Sequence, residues 1–204
     1  MVISNFVEET NLNFIDHRND QIWLHGKIYR RSFIEKNNIR FNGTRNNEDN
    51  AFNQLTLLCN PKVEYIQNKT YIWRNNANSI TRCNNKEFSY KALKDYVYNL
   101  NWALENGETK ENNKEQITHL AHSSLVSEYH YYLAHHDREE CQEMLKGAKI
   151  TKKIAEKYPI DERQKEEIFE NQFNFIFNKE GKMCFLNPIC SYEQFLELLD
   201  SIEV

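Results

Sequence analysis

The chain has 204 residues, of which 40% are hydrophobic and 13% aromatic, and its formal net charge is −4. This composition can fill one hydrophobic core, which excludes a wholly disordered chain, and the interspersed charges indicate no nucleic-acid surface. Five cysteines without a CxxC pair argue against a disulfide framework or zinc site, and no apolar run reaches the roughly 20 residues that span a bilayer, so we expect a cytoplasmic protein with reduced thiols.

The first elements predicted along the chain are short. The apolar run Val2–Phe6 indicates a strand, and Asn11–Phe14 and Gln21–Leu24 are further candidates for extended structure. Ser32–Asn37 is typical of a short helix, and Ile39–Phe41 is predicted to be a strand that follows it.

A longer helix and a hairpin are predicted next. Apolar residues at spacings of three to four predict a helix over Glu48–Cys59, which Pro61 ends. Val63–Ile66 and Thr70–Trp73 are apolar and aromatic, and the polar residues 67–69 between them favour a turn, so the pair predicts a hairpin.

The second part of the chain has helical periodicity. Its first helix starts near Glu87, and Asn106–Gly107 is predicted to end it with glycine just past the last turn. We expect Asp161 to cap a helix that runs to about Phe177, and Ser191 to form a capping box with Gln194. The remaining helices are predicted over Glu115–His136, Arg138–Tyr158 and Tyr192–Ile202.

Three stretches of the first region contain chemically informative side chains. They are WLHGKIYRRSFIEKNNIRF at 23–41, NEDNAFN at 47–53 and YIWRNNANSITR at 71–82. In this order and at these spacings they resemble the acceptor-side half of family 2 glycosyltransferases of the GT-A fold. The resemblance covers roughly residues 2–82. It implies an α/β (or α+β) protein, with a partial GT-A-like sheet in residues 1–85 and an all-helical region in residues 86–204.

The resemblance also implies the catalytic residues. A sugar acceptor's hydroxyl must lose its proton during transfer, and a carboxylate at a helix N-terminus can accept that proton. Asp49 takes this general-base role, and Glu48 would orient the acceptor or the surroundings of Asp49. The alternative is that both carboxylates only complement the positive end of the helix dipole.

Six further residues are candidates for substrate binding by the same resemblance. Lys27, Arg30 and Arg74 would neutralise donor phosphates, although Lys27 and Arg30 are equally consistent with ordinary salt bridges and Arg74 with a polar surface loop. Trp23 and Trp73 would stack on a sugar, or else pack in the core. His25 would contact a phosphate or a hydroxyl, or be an ordinary side chain with its hydrogen bonds satisfied.

A complete enzyme of this family has a nucleotide-binding half whose Asp-x-Asp motif holds Mn²⁺ or Mg²⁺. The first strand of this chain resembles the strand just after that motif, and the segment DHRND at 16–20 is not a substitute for it. We therefore expect this chain alone to bind neither the metal nor the nucleotide sugar. Either a second chain supplies that half, or the enzyme is incomplete. We also expect the exposed sheet to be covered by the chain's own helices or by a second copy, giving an oligomer.

Two other functions remain open from the sequence. The chain fits a non-catalytic binding or interaction module, such as a phage-encoded one, that retains the glycosyltransferase-like fold. The five histidines of residues 119–136 are instead compatible with a metal-dependent hydrolase, although there is no HExxH motif. The expected ligands of the enzyme are a nucleotide-sugar donor and a hydroxyl acceptor, with no nucleic acid and no membrane span.

Overall fold

A computed structural model of the chain describes most of its residues. The described residues are 1–10, 13–44, 47–74, 76, 86–108, 114–137, 139–170 and 189–203. They form a small mixed sheet followed mainly by helices, which confirms the predicted α/β class with a helical C-terminal region. No helix among these residues has the length and apolarity needed to cross a membrane.

The sheet has four strands: β1 (Val2–Glu9), β2 (Phe14–His17), β3 (Lys27–Ile28) and β4 (Glu64–Trp73). β1 is antiparallel to β2 through residues 6–9 and to β3 through residues 2–3, so these two strands share one edge of β1. β4 pairs with β1 in parallel, on its other edge. The sequence of β1 reads as an apolar run because this central strand is buried on both faces, with Ile3 1% and Phe6 0% exposed.

The predicted hairpin over residues 63–73 is wrong, because β4 is one continuous strand. The polar residues expected to turn the chain instead form an irregularity in the pairing of β4 with β1. There the side-chain amide of Asn5 donates to the carbonyl of Gln67, with a distance of 3.0 Å. A buried side chain on β1 thus replaces a ladder hydrogen bond that the irregularity removes.

Seven helices are described. Two lie within the N-terminal region, α1 (Arg31–Lys36) and α2 (Glu48–Leu58), and five follow the sheet. These five are α3 (Lys86–Glu108), α4 (Lys114–His135), α5 (Glu140–Lys157), α6 (residues 162–170) and α7 (Tyr192–Ser201). Both predicted caps are confirmed: Asp161 accepts the N–H of Gln164 at 2.8 Å, and Ser191 and Gln194 form the capping box. Residues 171–177 of the predicted sixth helix lie outside the described part.

Two other predicted strands are wrong. Residues 21–24 form bends, because backbone N–H groups there bond to the Asp20 side chain rather than to a neighbouring strand. Residues 39–41 are irregular, although Ile39 is fully buried in the small cluster around Phe52 and Leu55. Ile39 is apolar because its side chain is buried, and this burial does not require the segment to form a strand. Of the predicted segment Asn11–Phe14, only Phe14 lies in a strand, and residues 11 and 12 are not described.

The main core joins α2 to the helical region. Leu58 at the end of α2 packs with Leu100 and Leu104 of α3, and this cluster continues through α4, α5 and α7. Gly107 lies within α3 and does not follow it, which corrects the predicted helix end. A Cβ at Gly107 would collide with Leu58 Cδ1 and lie 2.9 Å from Leu58 Cβ, so glycine permits the close approach of α2 to α3.

Among the described residues, the helices cover α2 and leave β4 exposed. Tyr65, Ile66, Tyr71 and Ile72 are between 37% and 56% exposed, and β1 is the strand that pairs with β4. Of the two expected ways of covering the sheet, the described helices do not supply the first for β4. Covering by a second copy stays a prediction.

A polar network lies within the helical core. Glu128 of α4 is 0% exposed, and its Oε1 lies 2.9 Å from the Thr151 hydroxyl on α5. The same hydroxyl lies 2.7 Å from Oδ1 of Asn101 on α3. Three helices are thus linked by polar groups inside an otherwise apolar cluster.

Candidate active site

Gly26 holds the segment that carries His25 and Lys27 against the sheet. Gly26 has a φ of +68°, and its carbonyl accepts hydrogen bonds from the backbone N–H and the hydroxyl of Ser4, both at 2.8 Å. A Cβ on Gly26 would lie 2.7 Å from the carbonyl oxygen of Ser4. Only glycine fits both the left-handed backbone and the close approach, and this contact fixes the neighbouring residues His25 and Lys27 beside β1.

A buried ion pair holds the preceding loop. The Lys27 side chain is 1% exposed, and its Nζ lies 3.1 Å from Oδ1 of Asp20, which is 14% exposed. Lys27 Nζ also donates to the carbonyl of Trp23, while Asp20 Oδ1 accepts the Trp23 N–H at 2.8 Å. Burial lowers the pKa of Lys27, and the adjacent Asp20 carboxylate opposes that shift. Both ends of the pair therefore bind the Trp23 backbone and fix its position.

Four rings surround this loop and form what we call the aromatic group: Trp23, His25, Tyr71 and Trp73. His25 stacks on Tyr71 with a centroid distance of 4.4 Å, and Trp23 contacts Trp73 at 5.1 Å. Burial, together with the charge of Lys27, lowers the pKa of His25, so the imidazole is neutral at physiological pH. The group is an aromatic surface with little charge beside the ion pair.

Asp49 lies in the first turn of α2. It is half-buried, and its Oδ1 accepts the backbone N–H of Asn50 at 2.8 Å. Burial raises the pKa of Asp49, and the negative charges of Glu48 and Asp20 raise it further against the hydrogen bonds from the backbone. The charge of Asp49 in turn acts on Lys27 and Tyr29. Asp49 is thus a carboxylate of increased basicity beside the buried ion pair.

The next turn of α2 is bonded to the same loop. The hydroxyl of Tyr29 donates to Oδ1 of Asn53, and Nδ2 of Asn53 donates to the carbonyl of Ile22 at 2.5 Å. Asn53 is 1% exposed. Burial raises the pKa of Tyr29, so its hydroxyl stays protonated as a donor. These bonds fix Asp49 relative to the loop of residues 20–23.

The structure brings most of the predicted site residues together. The rings of Trp23, His25 and Trp73 contact one another, and Lys27 bonds to the Trp23 carbonyl. Asp49 lies within electrostatic range of Lys27. For Lys27 the structure shows an ordinary salt bridge, and its partner is Asp20.

The two predicted arginines lie at the surface. Arg30 is exposed, and its carbonyl accepts the first N–H bonds of α1. Arg74 is exposed and follows Trp73. Their roles at a phosphate stay predictions. Ser79, Thr81 and Arg82 of the third motif lie outside the described residues.

Residues that sequence reasoning missed complete the site. Asp20 was considered only as part of a metal motif, whereas its carboxylate binds Lys27 and two backbone N–H groups. Tyr71 and Asn53 belong to the quoted motifs but were assigned no role. For Asp20 the local signal was an aspartate two and three residues before Ile22 and Trp23, the spacing at which a carboxylate accepts backbone N–H groups.

The described side chains do not suit a divalent cation. Asp20 already pairs with the Lys27 ammonium, which also acts on Asp49, so a second positive charge there would be repelled. The histidines of α4 show no such site either: His122 contacts the Tyr158 carbonyl at 2.8 Å, and no group of three potential metal ligands occurs in the described ranges. Neither observation supports the metal-dependent hydrolase.

The chain matches no protein-family profile, no curated protein sequence and no solved structure.

Proposed function

We propose that the chain forms the acceptor side of a glycosyltransferase, with Asp49 as the general base. The observation on which this rests is a half-buried carboxylate of raised pKa, fixed at the start of a helix within electrostatic range of Lys27. A general base acts best when its pKa approaches the working pH, and burial moves Asp49 in that direction.

The proposed reaction transfers a sugar with inversion. The acceptor oxygen attacks the anomeric carbon of the donor sugar, and its proton passes to the Asp49 carboxylate. The bond from that carbon to the phosphate oxygen breaks, and the nucleoside diphosphate leaves with the electron pair. The donor-binding half, with its Mn²⁺ or Mg²⁺, is proposed to come from a second chain, and Arg30 and Arg74 are exposed where they can meet a phosphate.

The aromatic group is proposed to bind the sugar. The C–H face of a pyranose packs well on an aromatic ring, and Trp23 and Trp73 are both partly exposed. The buried Asp20–Lys27 pair keeps Trp23 in place, so these two charges act as positioning residues. We propose a cytoplasmic location, which would supply nucleotide sugars. The free thiols of Cys141 and Cys190 are consistent with it.

A second candidate is a carbohydrate-binding module without catalysis. It is favoured by the aromatic group, which can bind a sugar with no help from Asp49. The two candidates differ in what Asp49 does.

Reconstitution tests the enzyme. The purified chain is mixed with the product of an adjacent reading frame that encodes an Asp-x-Asp motif, and release of nucleoside diphosphate from UDP-sugars is measured. We expect Asp49→Asn to lower the rate by about 10²–10⁴-fold, the usual contribution of a general base. Because the pKa of Asp49 is raised, the rate of the wild-type chain should fall on the acid side at a higher pH than an ordinary aspartate predicts.

The matched control is Glu35→Gln, which removes an exposed carboxylate that pairs with Arg31 on the surface of α1. Its rate should equal that of the wild-type chain. Equal rates for Asp49→Asn and wild type would refute the base assignment. Sugar binding without any transfer in the reconstituted mixture would favour the non-catalytic module.

A further inference from the structure

A large cleft separates the N-terminal region from the helical region. It has a volume of about 1220 Å³ and lies between the loop of residues 19–22, α2, α4 and α6. Pockets for one small molecule usually measure roughly 300–1,000 Å³. The cleft therefore suits an extended ligand.

The two walls present neutral polar groups among apolar ones such as Leu57 and Ile168. The wall of the N-terminal region carries amide side chains, those of Asn19, Gln21, Asn50 and Gln54. The facing wall, on α4, carries hydroxyls, those of Thr118, Ser123, Ser124 and Ser127. The hydroxyls of Thr118, Ser123 and Ser127 donate to carbonyls of α4, so they can accept a hydrogen bond from a ligand. The amides can both donate and accept, and the two kinds of group together can bind sugar hydroxyl groups.

The charges at the cleft disfavour an anionic ligand. Its charged lining residues are the carboxylates Asp20, Glu115 and Glu167 and the single ammonium of Lys114. Lys27 neutralises Asp20, but Glu115 and Glu167 still outnumber Lys114, so a phosphate-rich ligand is disfavoured. The ligand that fits is neutral and polyhydroxylated.

One buried hydroxyl in this wall lacks a partner. Ser124 is 2% exposed, and its Oγ has no hydrogen-bond partner among the described residues. A buried polar atom left unsatisfied destabilises the protein, so a group that enters the cleft and bonds to it gains affinity. By contrast, the hydroxyl of the neighbouring Ser123 donates to the Leu120 carbonyl at 3.2 Å.

The cleft borders the candidate active site. Asp20 lines the cleft and holds Lys27, and Asn50, which follows Asp49, lines it as well, whereas Asp49 itself does not line it. A ligand in the cleft must therefore extend past Asn50 to meet the proposed base.

We propose that this cleft binds the acceptor as a neutral oligosaccharide, whose terminal sugar reaches Asp49 while its remaining units contact α2 and α4. The inference rests on the proposed function for the identity of the ligand. The inference implies that the helical region determines which length of acceptor the protein binds.

The test uses the whole chain on a printed array of neutral and anionic oligosaccharides, followed by calorimetry with the best-bound compound. We expect binding to neutral oligosaccharides of several units without any nucleotide sugar. Thr118→Trp places a large ring in the cleft and should abolish binding, while Gln54→Ala should weaken it roughly fivefold through loss of one hydrogen bond. Glu105→Trp, at an exposed position of α3 outside the cleft, should bind as wild type does.

Three results would overturn the proposal: no retention on any neutral oligosaccharide, preference for anionic compounds, or binding by Thr118→Trp equal to wild type. Asp49→Asn should still bind on the array, because the base is not needed for binding. Binding without transfer refutes the catalytic role alone. Transfer that Thr118→Trp leaves unchanged refutes the cleft alone.

Discussion

Replacing Glu128 by glutamine isolates the contribution that the titration of this buried acid makes to the stability of the protein. A hydroxyl has one proton, and that of Thr151 lies within bonding distance of both Asn101 and Glu128. If Thr151 donates to Asn101, Glu128 must hold a proton of its own to complete the bond to Thr151. The pKa agrees, since burial raises that of Glu128 to about 8. Glutamine can supply the same donor from its amide without titrating.

The magnitude follows from the two pKa values. The unfolded chain loses this proton near the ordinary value of 4.5, whereas the folded chain keeps it until about 8. Between these values the folded state binds one more proton, so its stability falls as the pH rises and levels off above about 8. At about 1.4 kcal/mol per pH unit, the loss over this window is roughly 5 kcal/mol.

Urea unfolding of both proteins, followed by circular dichroism at several pH values in this window, measures the effect. Other titrating groups are common to both proteins, so the difference in free energy of unfolding isolates Glu128. We expect Glu128→Gln to gain about 1.4 kcal/mol on the wild-type chain with each added pH unit. Parallel curves for the two proteins would show that Glu128 is not protonated in the fold, and the reasoning would fail.

Two further substitutions test other buried contacts by urea unfolding. Lys27→Met leaves the Asp20 carboxylate without its buried partner and should lower the free energy of unfolding by roughly 3–5 kcal/mol. The double variant Lys27→Met, Asp20→Asn should restore much of this loss. A double variant no more stable than the single variant would contradict the pairing. Gly107→Ala should cost roughly 1–3 kcal/mol despite the better helix propensity of alanine, because its Cβ meets Leu58. That cost should shrink when Leu58→Ala is already present, and strict additivity would argue against the contact.

The helices were predictable because their signals are local. Ser191 and Gln194 lie within one turn and identify their helix start wherever the chain folds. The parallel pairing of β4 with β1 joins residues more than 60 positions apart, and nothing within residues 63–73 distinguishes one strand from a hairpin. Gly107 was misread for a similar reason, since the neighbour that requires glycine, Leu58, lies far away in sequence.

Sequence motifs identified most residues of the candidate site, but they did not predict how these residues contact one another. The quoted stretches include Trp23, His25, Lys27, Asp49 and Trp73, and the structure brings these side chains to one side of the sheet or to its adjoining helix. What no pattern showed is which charges pair. Asp20 lies outside the three quoted stretches and becomes the partner of Lys27 because Gly26 brings the loop against β1.

The exposed strand β4 has a consequence for the protein in solution. A long bare strand invites another strand to add to it, and natural sheets discourage this with charge and irregular geometry. In β4 the charge of Lys69 is paired with Asp16 at 2.6 Å, and the strand is irregular at its centre. Within the described part of the chain no strand pairs with the outer edge of β4, so this irregular geometry is the feature that opposes addition of a strand from another molecule.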